Sequence, residues 1–119
     1  MKFTDVNPFK NKIQNKINKS ILDTVKKKDF ILGKNVNKFE KSFAKLSNSK
    51  YAIGCATGTD ALLLAIKSLN LKKKHEVIIP GMSYISTGLS VVLNKKKIVF
   101  ADIDEKTGLV SLKSIKKKI

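Results

Sequence analysis

Apolar positions in the first third of the chain recur at helical spacing. Ile13, Ile17 and Ile21 stand at i, i+4 and i+8, and Leu22 and Val25 widen the same stripe. Asn7-Pro8 offers an N-cap followed by proline at the first helical position, and the lysines at 26–28 close the segment. The spacing predicts an amphipathic helix over residues 9–27. Asp29 to Gly33 reads as a short extended piece with a glycine turn. A second helix is predicted after Asn35, with Val36, Phe39, Phe43 and Leu46 on one face and lysines on the other. Neither helix is stable alone in water; each needs an apolar surface to lie on.

From residue 50 short continuous apolar runs alternate with helical stretches. Residues 51–55, 76–79 and 98–101 read as strands. Residues 60–69 and 83–93 read as helices, the second despite Gly88, and a further helix is predicted near Ser111. A turn is expected at Lys106-Thr107-Gly108. Continuous apolar strands separated by helices indicate parallel βαβ units whose sheet is covered on both faces. Three strands leave the sheet open where the mean is about five to six. The expectation is therefore the N-terminal part of a larger α/β protein, without internal repeat or linker.

Composition narrows the class. Of 119 residues, 42% are hydrophobic and 29% charged, the balance of a folded domain rather than a disordered chain. The longest apolar run is six residues, Ala61 to Ile66, against the roughly 20 needed to cross a bilayer. Lys2, Asp5, Asn7 and Lys10 interrupt any secretory leader pattern, so a cytoplasmic protein without membrane partners is expected. One cysteine, Cys55, and one histidine, His75, make neither an internal disulfide nor an ordinary zinc site, and no metal is expected.

The net charge of +16 points to anionic partners, but all 25 basic residues are lysine. Bidentate reading of guanine or phosphate is mainly arginine work, which argues against specific nucleic-acid recognition. The lysine runs at 26–28, 72–74, 95–97 and 116–118 fall between apolar segments, where loops and helix ends are expected. Solvated loop lysines are the favoured reading. A lysine-rich protein that binds nucleic acid or another polyanion is the alternative.

Three places could hold chemistry. Ala56-Thr57-Gly58-Thr59-Asp60 precedes a predicted helix, whose start offers unpaired N–H groups and a positive dipole end to a phosphate. It is equally a tight turn with a threonine or aspartate cap, since no G-x-G-x-x-G or Walker A pattern is present. Tyr84, after Pro80-Gly81, stands beyond the carboxyl end of a strand, where it could stack on a flat ring or pack on a helix. Asp102 and Asp104 could bind metal or exchange protons, or simply cap and turn the chain. Cys55 is expected to be a buried strand residue and His75 a loop residue.

In order and spacing, the FILG loop, V-x-x-F-E-x-x-F-A (36–44), KYAIGCATGTDALLLAI, EVIIPGMSYISTG and VFADIDEKTG resemble the DegT/DnrJ/EryC1/StrS family from about residue 8 onward. The resemblance implies a fold type I pyridoxal-phosphate-dependent transferase of aspartate-aminotransferase type. It implies a helical arm over residues 1–49, with residues 50–119 beginning the large cofactor-binding α/β domain as a parallel βαβαβ unit. It further implies amination of a nucleotide-linked keto-sugar for a polysaccharide or other glycan, with glutamate as donor, in a homodimer. Gly58, Thr59 and the backbone of Asp60 match the turn that grips the cofactor phosphate. Tyr84 matches the residue stacked on the pyridine ring, and the loop from Phe30 to Gly33 matches a segment on the sugar-nucleotide side. No lysine matches the Schiff-base motif, so no catalytic residue is expected before Ile119 and the chain alone should be inactive. A sugar dehydratase of the same fold is not distinguished. Thr57 departs from the usual serine, and Lys74-His75-Glu76 from the usual Gly-Asp-Glu.

Overall fold

The computed structural model describes residues 13–119. The predicted cap at Asn7-Pro8 and the first turn of the predicted 9–27 helix lie outside them. The chain divides into two compact units, the first ending at Gly54 and the second spanning Cys55–Ile119.

The first unit holds two helices, α1 (Gln14–Lys27) and α2 (Lys34–Leu46). Lys28 terminates α1 in the left-handed region, φ 53°. The connecting loop is pinned by Asp29, whose Oδ2 accepts the Lys34 amide proton at 2.9 Å. Glycine is required at position 33, because a Cβ there would stand 2.5 Å from Asp29 Oδ1 and 2.7 Å from its carbonyl oxygen. Across the loop, Asn35 Nδ2 donates to Thr24 Oγ1 at 2.7 Å, joining the two helices through their polar faces. The apolar stripe of α1 buries nothing; Ile17, Leu22 and Val25 are all exposed. On α2, Ala44 is buried, while Phe39 and Phe43 pair with ring centroids 5.7 Å apart on an exposed face. Glu40 Oε1 accepts the Gly54 amide proton at 2.8 Å and so ties residues 51–54 back to α2.

The second unit comprises α3 (Gly58–Ser68), β1 (Glu76–Pro80), α4 (Ile85–Leu93), β2 (Lys97–Ala101) and α5 (Leu112–Lys116). β1 and β2 are parallel, with Glu76 opposite Lys97 and Pro80 opposite Ala101. They connect through α4 as the βαβ unit expected from their unbroken apolar runs. α4 lies on the face carrying Ile79 and Ile98; a methyl on Gly88 would stand 3.7 and 3.6 Å, respectively, from their terminal carbons. Ile79, Ser86, Ser90, Val91 and Ala101 are buried here. Asn94, just past α4, donates to Leu63 O of α3 at 3.0 Å and to Ser90 O at 2.8 Å, fastening α3 to α4.

One expected strand is absent. Residues 51–55 form no strand, so among the described residues the sheet has two strands rather than three. β1 and β2 pair with each other, while the segment before α3 is held to α2 through the Gly54 amide instead of joining their sheet. Tyr51 and Ile53 are correspondingly 72% and 81% exposed. Cys55, expected to be buried in that strand, is exposed. No helix of the described residues is long and apolar enough to cross a membrane.

Candidate functional site

The residues singled out before α3 form its first turn. Thr57 is the N-cap, extended at φ −146°, ψ 165°. Its Oγ1 accepts the Asp60 amide proton at 3.1 Å and donates to Asp60 Oδ2 at 2.7 Å, while its carbonyl accepts from Ala61 N at 3.0 Å. The two roles proposed for the segment thus divide between its residues. Thr57 and Asp60 are the cap, and Gly58 and Thr59 occupy the first two helical positions, whose N–H groups have no partner within the helix. Gly58 needs no left-handed backbone, and a Cβ there would meet nothing within 4 Å. Gly58 is exposed and Thr59 half-buried. The Asp60 carboxylate, held by Thr57, sits in the first turn, where the dipole favours negative charge.

Tyr84 is the N-cap of α4 and is 77% exposed. It lines an open, mainly apolar groove of about 380 Å³ with Pro80, Gly81 and Phe100 at the carboxyl ends of both strands. The adjacent Ser83 and Thr87 hydroxyls bond each other at 2.7 Å. The ring is presented by a β-region cap residue rather than tucked along the helix, so its flat face is available. Gly58, Thr59, Asp60 and Tyr84 therefore belong to one unit, at the starts of two helices that pack together. Phe30 and Gly33 belong to the other unit: Phe30 is 62% exposed beside the still more exposed Ile31 and Leu32, and Gly33 is buried.

The paired aspartates resolve as structural groups. Asp102 holds Ser114, which accepts the Asp102 amide proton at 2.9 Å and donates to its Oδ2 at 3.2 Å, fixing α5 to the end of β2. Asp104 Oδ1 accepts from the amides of Lys106 and Thr107 at 3.1 and 3.0 Å, closing the turn that ends at Gly108 with φ +68°. His75 Nδ1 accepts from Lys72 N at 3.0 Å inside a loop. Among the described residues no cluster of three or more histidine, cysteine or carboxylate side chains could hold a metal ion.

Sequence reasoning missed three working groups. Glu40, inside the F-E-x-x-F-A pattern, was unassigned, and its only signal was a carboxylate on the mainly basic face of α2. The S-x-x-S spacing of Ser111 and Ser114 announced a cap, with Ser114 N donating to Ser111 Oγ at 3.3 Å. Lysines of the two helices converge, one of them from the 26–28 run: Lys16, Lys19, Lys27, Lys34 and Lys38 all line one cleft of about 350 Å³ between α1 and α2.

A helix-start turn whose first amides have no partner within the helix, and an exposed ring at the start of the next helix, thus lie in one α/β unit. The chain belongs to the DegT/DnrJ/EryC1/StrS aminotransferase family, whose model matches residues 11–119. Over 107 residues it is 36% identical to the UDP-2-acetamido-2-deoxy-3-oxo-D-glucuronate aminotransferase of Pseudomonas aeruginosa, covering 90% of this chain and 30% of that protein. Its fold matches the crystal structure of a family aminotransferase from Brucella abortus with a TM-score of 0.90 at 28% identity, over 98% of this chain and 31% of that one. It also matches the E. coli GDP-4-keto-6-deoxy-D-mannose-3-dehydratase solved with bound hydrated PLP, at TM-score 0.80 and 32% identity, over 86% and 28% of the two chains. The chain spans about 30% of the length of the curated relatives it matches. The architecture is that of the fold type I transferases, as the resemblance implied.

Proposed function

We propose that this chain supplies the phosphate- and ring-binding part of a pyridoxal-phosphate-dependent aminotransferase that acts on a nucleotide-linked keto-sugar, with glutamate as amino donor. The reading rests on the first turn of α3, where Gly58 and Thr59 carry amides without a partner in the helix, within a chain of this family. The donor set fits the cofactor. A phosphate dianion is well received by helix-start amides and the positive dipole end, and Thr59 adds a hydroxyl. The Thr57–Asp60 bonds hold that turn in place before any ligand arrives. Tyr84 supplies a flat face for the ring and keeps water from one side of it. Phe30 and Gly33 are assigned to the sugar-nucleotide side, with Asp29 fixing the loop that carries them.

When bound, the cofactor supplies the electron sink that lets an amino group pass between donor and keto-sugar. This chain's residues bind and orient it; none is assigned a proton-transfer or nucleophilic role. The nucleophilic lysine is assigned to the part of the relatives' length that this chain does not span. The chain alone should therefore not transaminate. We further assign the full-length protein to a cytoplasmic homodimer, with residues 1–49 as a helical arm and residues 50–119 as the start of the cofactor domain. A second reading, a dehydratase acting on a nucleotide-linked keto-sugar, is supported by the match to the E. coli dehydratase, since the cofactor-holding residues serve both reactions.

The test is to titrate the 119-residue chain with pyridoxal phosphate and follow tyrosine fluorescence, then add glutamate and assay 2-oxoglutarate. Weak saturable binding is expected, weakened at least about tenfold by Thr59→Ala with Tyr84→Ala, as for loss of one charge-assisted bond and one stacking contact. No turnover is expected. Equal binding by the double variant would remove both assignments, and sustained 2-oxoglutarate production would place the catalytic lysine within this chain.

A further inference from the structure

The cleft between α1 and α2 is lined by residues from a single face of each helix. Lys16, Lys19, Asp23 and Lys27 recur at i, i+3, i+7 and i+11 on α1, and Lys34 and Lys38 at i and i+4 on α2. Amphipathic helices normally turn such faces outward to solvent. Here the polar faces look onto a shared open recess of about 350 Å³, bridged near the connecting loop by the Asn35–Thr24 bond. That volume lies within the roughly 300–1,000 Å³ of small-ligand sites.

Five ammoniums and two carboxylates leave three positive charges in excess on the walls of one recess. Among the described residues none of these five lysines is in an ion pair; the pair formed is Lys97 with Glu76, elsewhere in the fold. Asp29 faces the Lys34 backbone amide instead, so it does not neutralise a lysine side chain. Like charges gathered on a concave wall repel one another and focus the field into the space between them. An anion in the cleft relieves that repulsion.

We propose that the α1–α2 cleft is a binding site for a small multivalent phosphate anion of the linear polyphosphate type. Three features select this class. Ammoniums act on phosphate as point charges without the planar fork of arginine, so they reward charge density rather than shape. No aromatic residue lines the cleft, so it offers a base nothing to stack on, which disfavours a nucleotide or a single-stranded nucleic acid. The lysines on α1 extend over eleven residues, about 16 Å of helix at ~1.5 Å per residue, which suits a chain of linked phosphates better than a lone one. Ser20 and Asn35 add neutral hydrogen-bonding groups to the wall. The site is separate from the α3 turn and does not rest on the aminotransferase reading.

The experiment is a low-salt titration of the 119-residue chain with sodium tripolyphosphate, by calorimetry and amide NMR. The expected result is saturable binding that shifts the Asn35 side-chain amide and backbone amides within residues 16–38. Lys19→Gln with Lys38→Gln should weaken binding about tenfold, and the loop variant Lys73→Gln with Lys74→Gln less than about twofold, because charge acts most strongly within a Debye length. Inorganic sulfate should bind at least about tenfold more weakly than tripolyphosphate, since it carries less charge into the same field. Equal losses in the two double variants would reduce the effect to bulk charge and overturn the proposal. Shifts confined to residues 57–60, no saturable binding, or tighter binding of an oligothymidylate would overturn it too. Circular dichroism identical to the parent's keeps loss of fold out of the comparison.

Discussion

α1 and α4 are both regular helices with apolar positions at helical spacing, yet they differ completely in what those positions achieve. No residue of α1 is buried, whereas α4 buries Ser86, Ser90 and Val91. The difference lies in what each helix faces. α4 is the crossover of a parallel strand pair, so its inner side meets Ile79 and Ile98 as soon as β1 and β2 align. α1 turns its polar side to α2, to which Thr24 is bonded by Asn35, leaving Ile17, Ile21, Leu22 and Val25 exposed. Hydrophobic periodicity therefore reports which face a helix is built to bury, and local topology decides whether this chain covers it. The same division separates a unit with a core from one held mainly by single hydrogen bonds at Asp29, Asn35 and Glu40.

The largest effect should come from charging the two helices in turn. Val91 is fully buried, and Val91→Asp places an unpaired carboxylate in the interior of the unit, expected to cost about 4 kcal/mol or more. That is most of the stability of an ordinary small domain, so β1, α4 and β2 should lose amide-exchange protection together. Ile21 is 56% exposed, and Ile21→Asp should change the melting free energy by no more than about 0.5 kcal/mol. Comparable losses from the two variants in a thermal melt would mean that α1 is covered in solution, and the contrast would fail.

What could be read in advance follows the same contrast. The helices of the described residues and the Thr57 cap were legible because each depends on neighbours a few residues away, and the runs at 76–79 and 98–101 because a helix between two apolar runs marks a parallel crossover. The strand at residues 51–55 was not. Tyr51, Ala52 and Ile53 carry the right residues, but a strand exists only by pairing, and pairing partners are not encoded in the run itself. The candidate ligand turn was legible for a related reason, since the first amides of any helix are unpartnered wherever it lies. The lysine cleft escaped notice because lysines were weighed as runs along the chain. Their convergence depends on how the loop at 28–33 turns α2 back beside α1, which brings lysines far apart in sequence onto one recess.

An intermediate effect should follow at the α3 cap. Thr57→Ala removes the acceptor for the Asp60 amide and the partner of the Asp60 carboxylate, expected to cost about 1 kcal/mol. Serine at this position should recover most of it, because the hydroxyl rather than the methyl makes both bonds. Amide exchange should quicken in the first turn of α3 and leave β1 and β2 unaltered. A uniform loss of protection across the second unit would show that the cap supports the whole unit rather than one turn.

The smallest effect concerns Gly88, the one position where α4 approaches the sheet without a side chain. Glycine inside a helix costs about 1 kcal/mol relative to alanine, so its presence suggests either crowding or an accident of drift. Crowding is mild: the added methyl would sit 3.6 Å from Ile98 and 3.7 Å from Ile79, ordinary van der Waals separations. Backbone strain is not involved, since the residue is helical. The methyl also fills space between α4 and the strands, which gains contact rather than forcing it. Gly88→Ala should therefore stabilise the second unit by about 0.5–1 kcal/mol, read as a raised melting temperature. The equivalent glycine-to-alanine change at Gly33 should instead destabilise the first unit, because Asp29 already occupies that space. Destabilisation by Gly88→Ala would mean that α4 sits closer to the strands in solution than the 3.6 Å separation implies, and that the core of this unit has no slack.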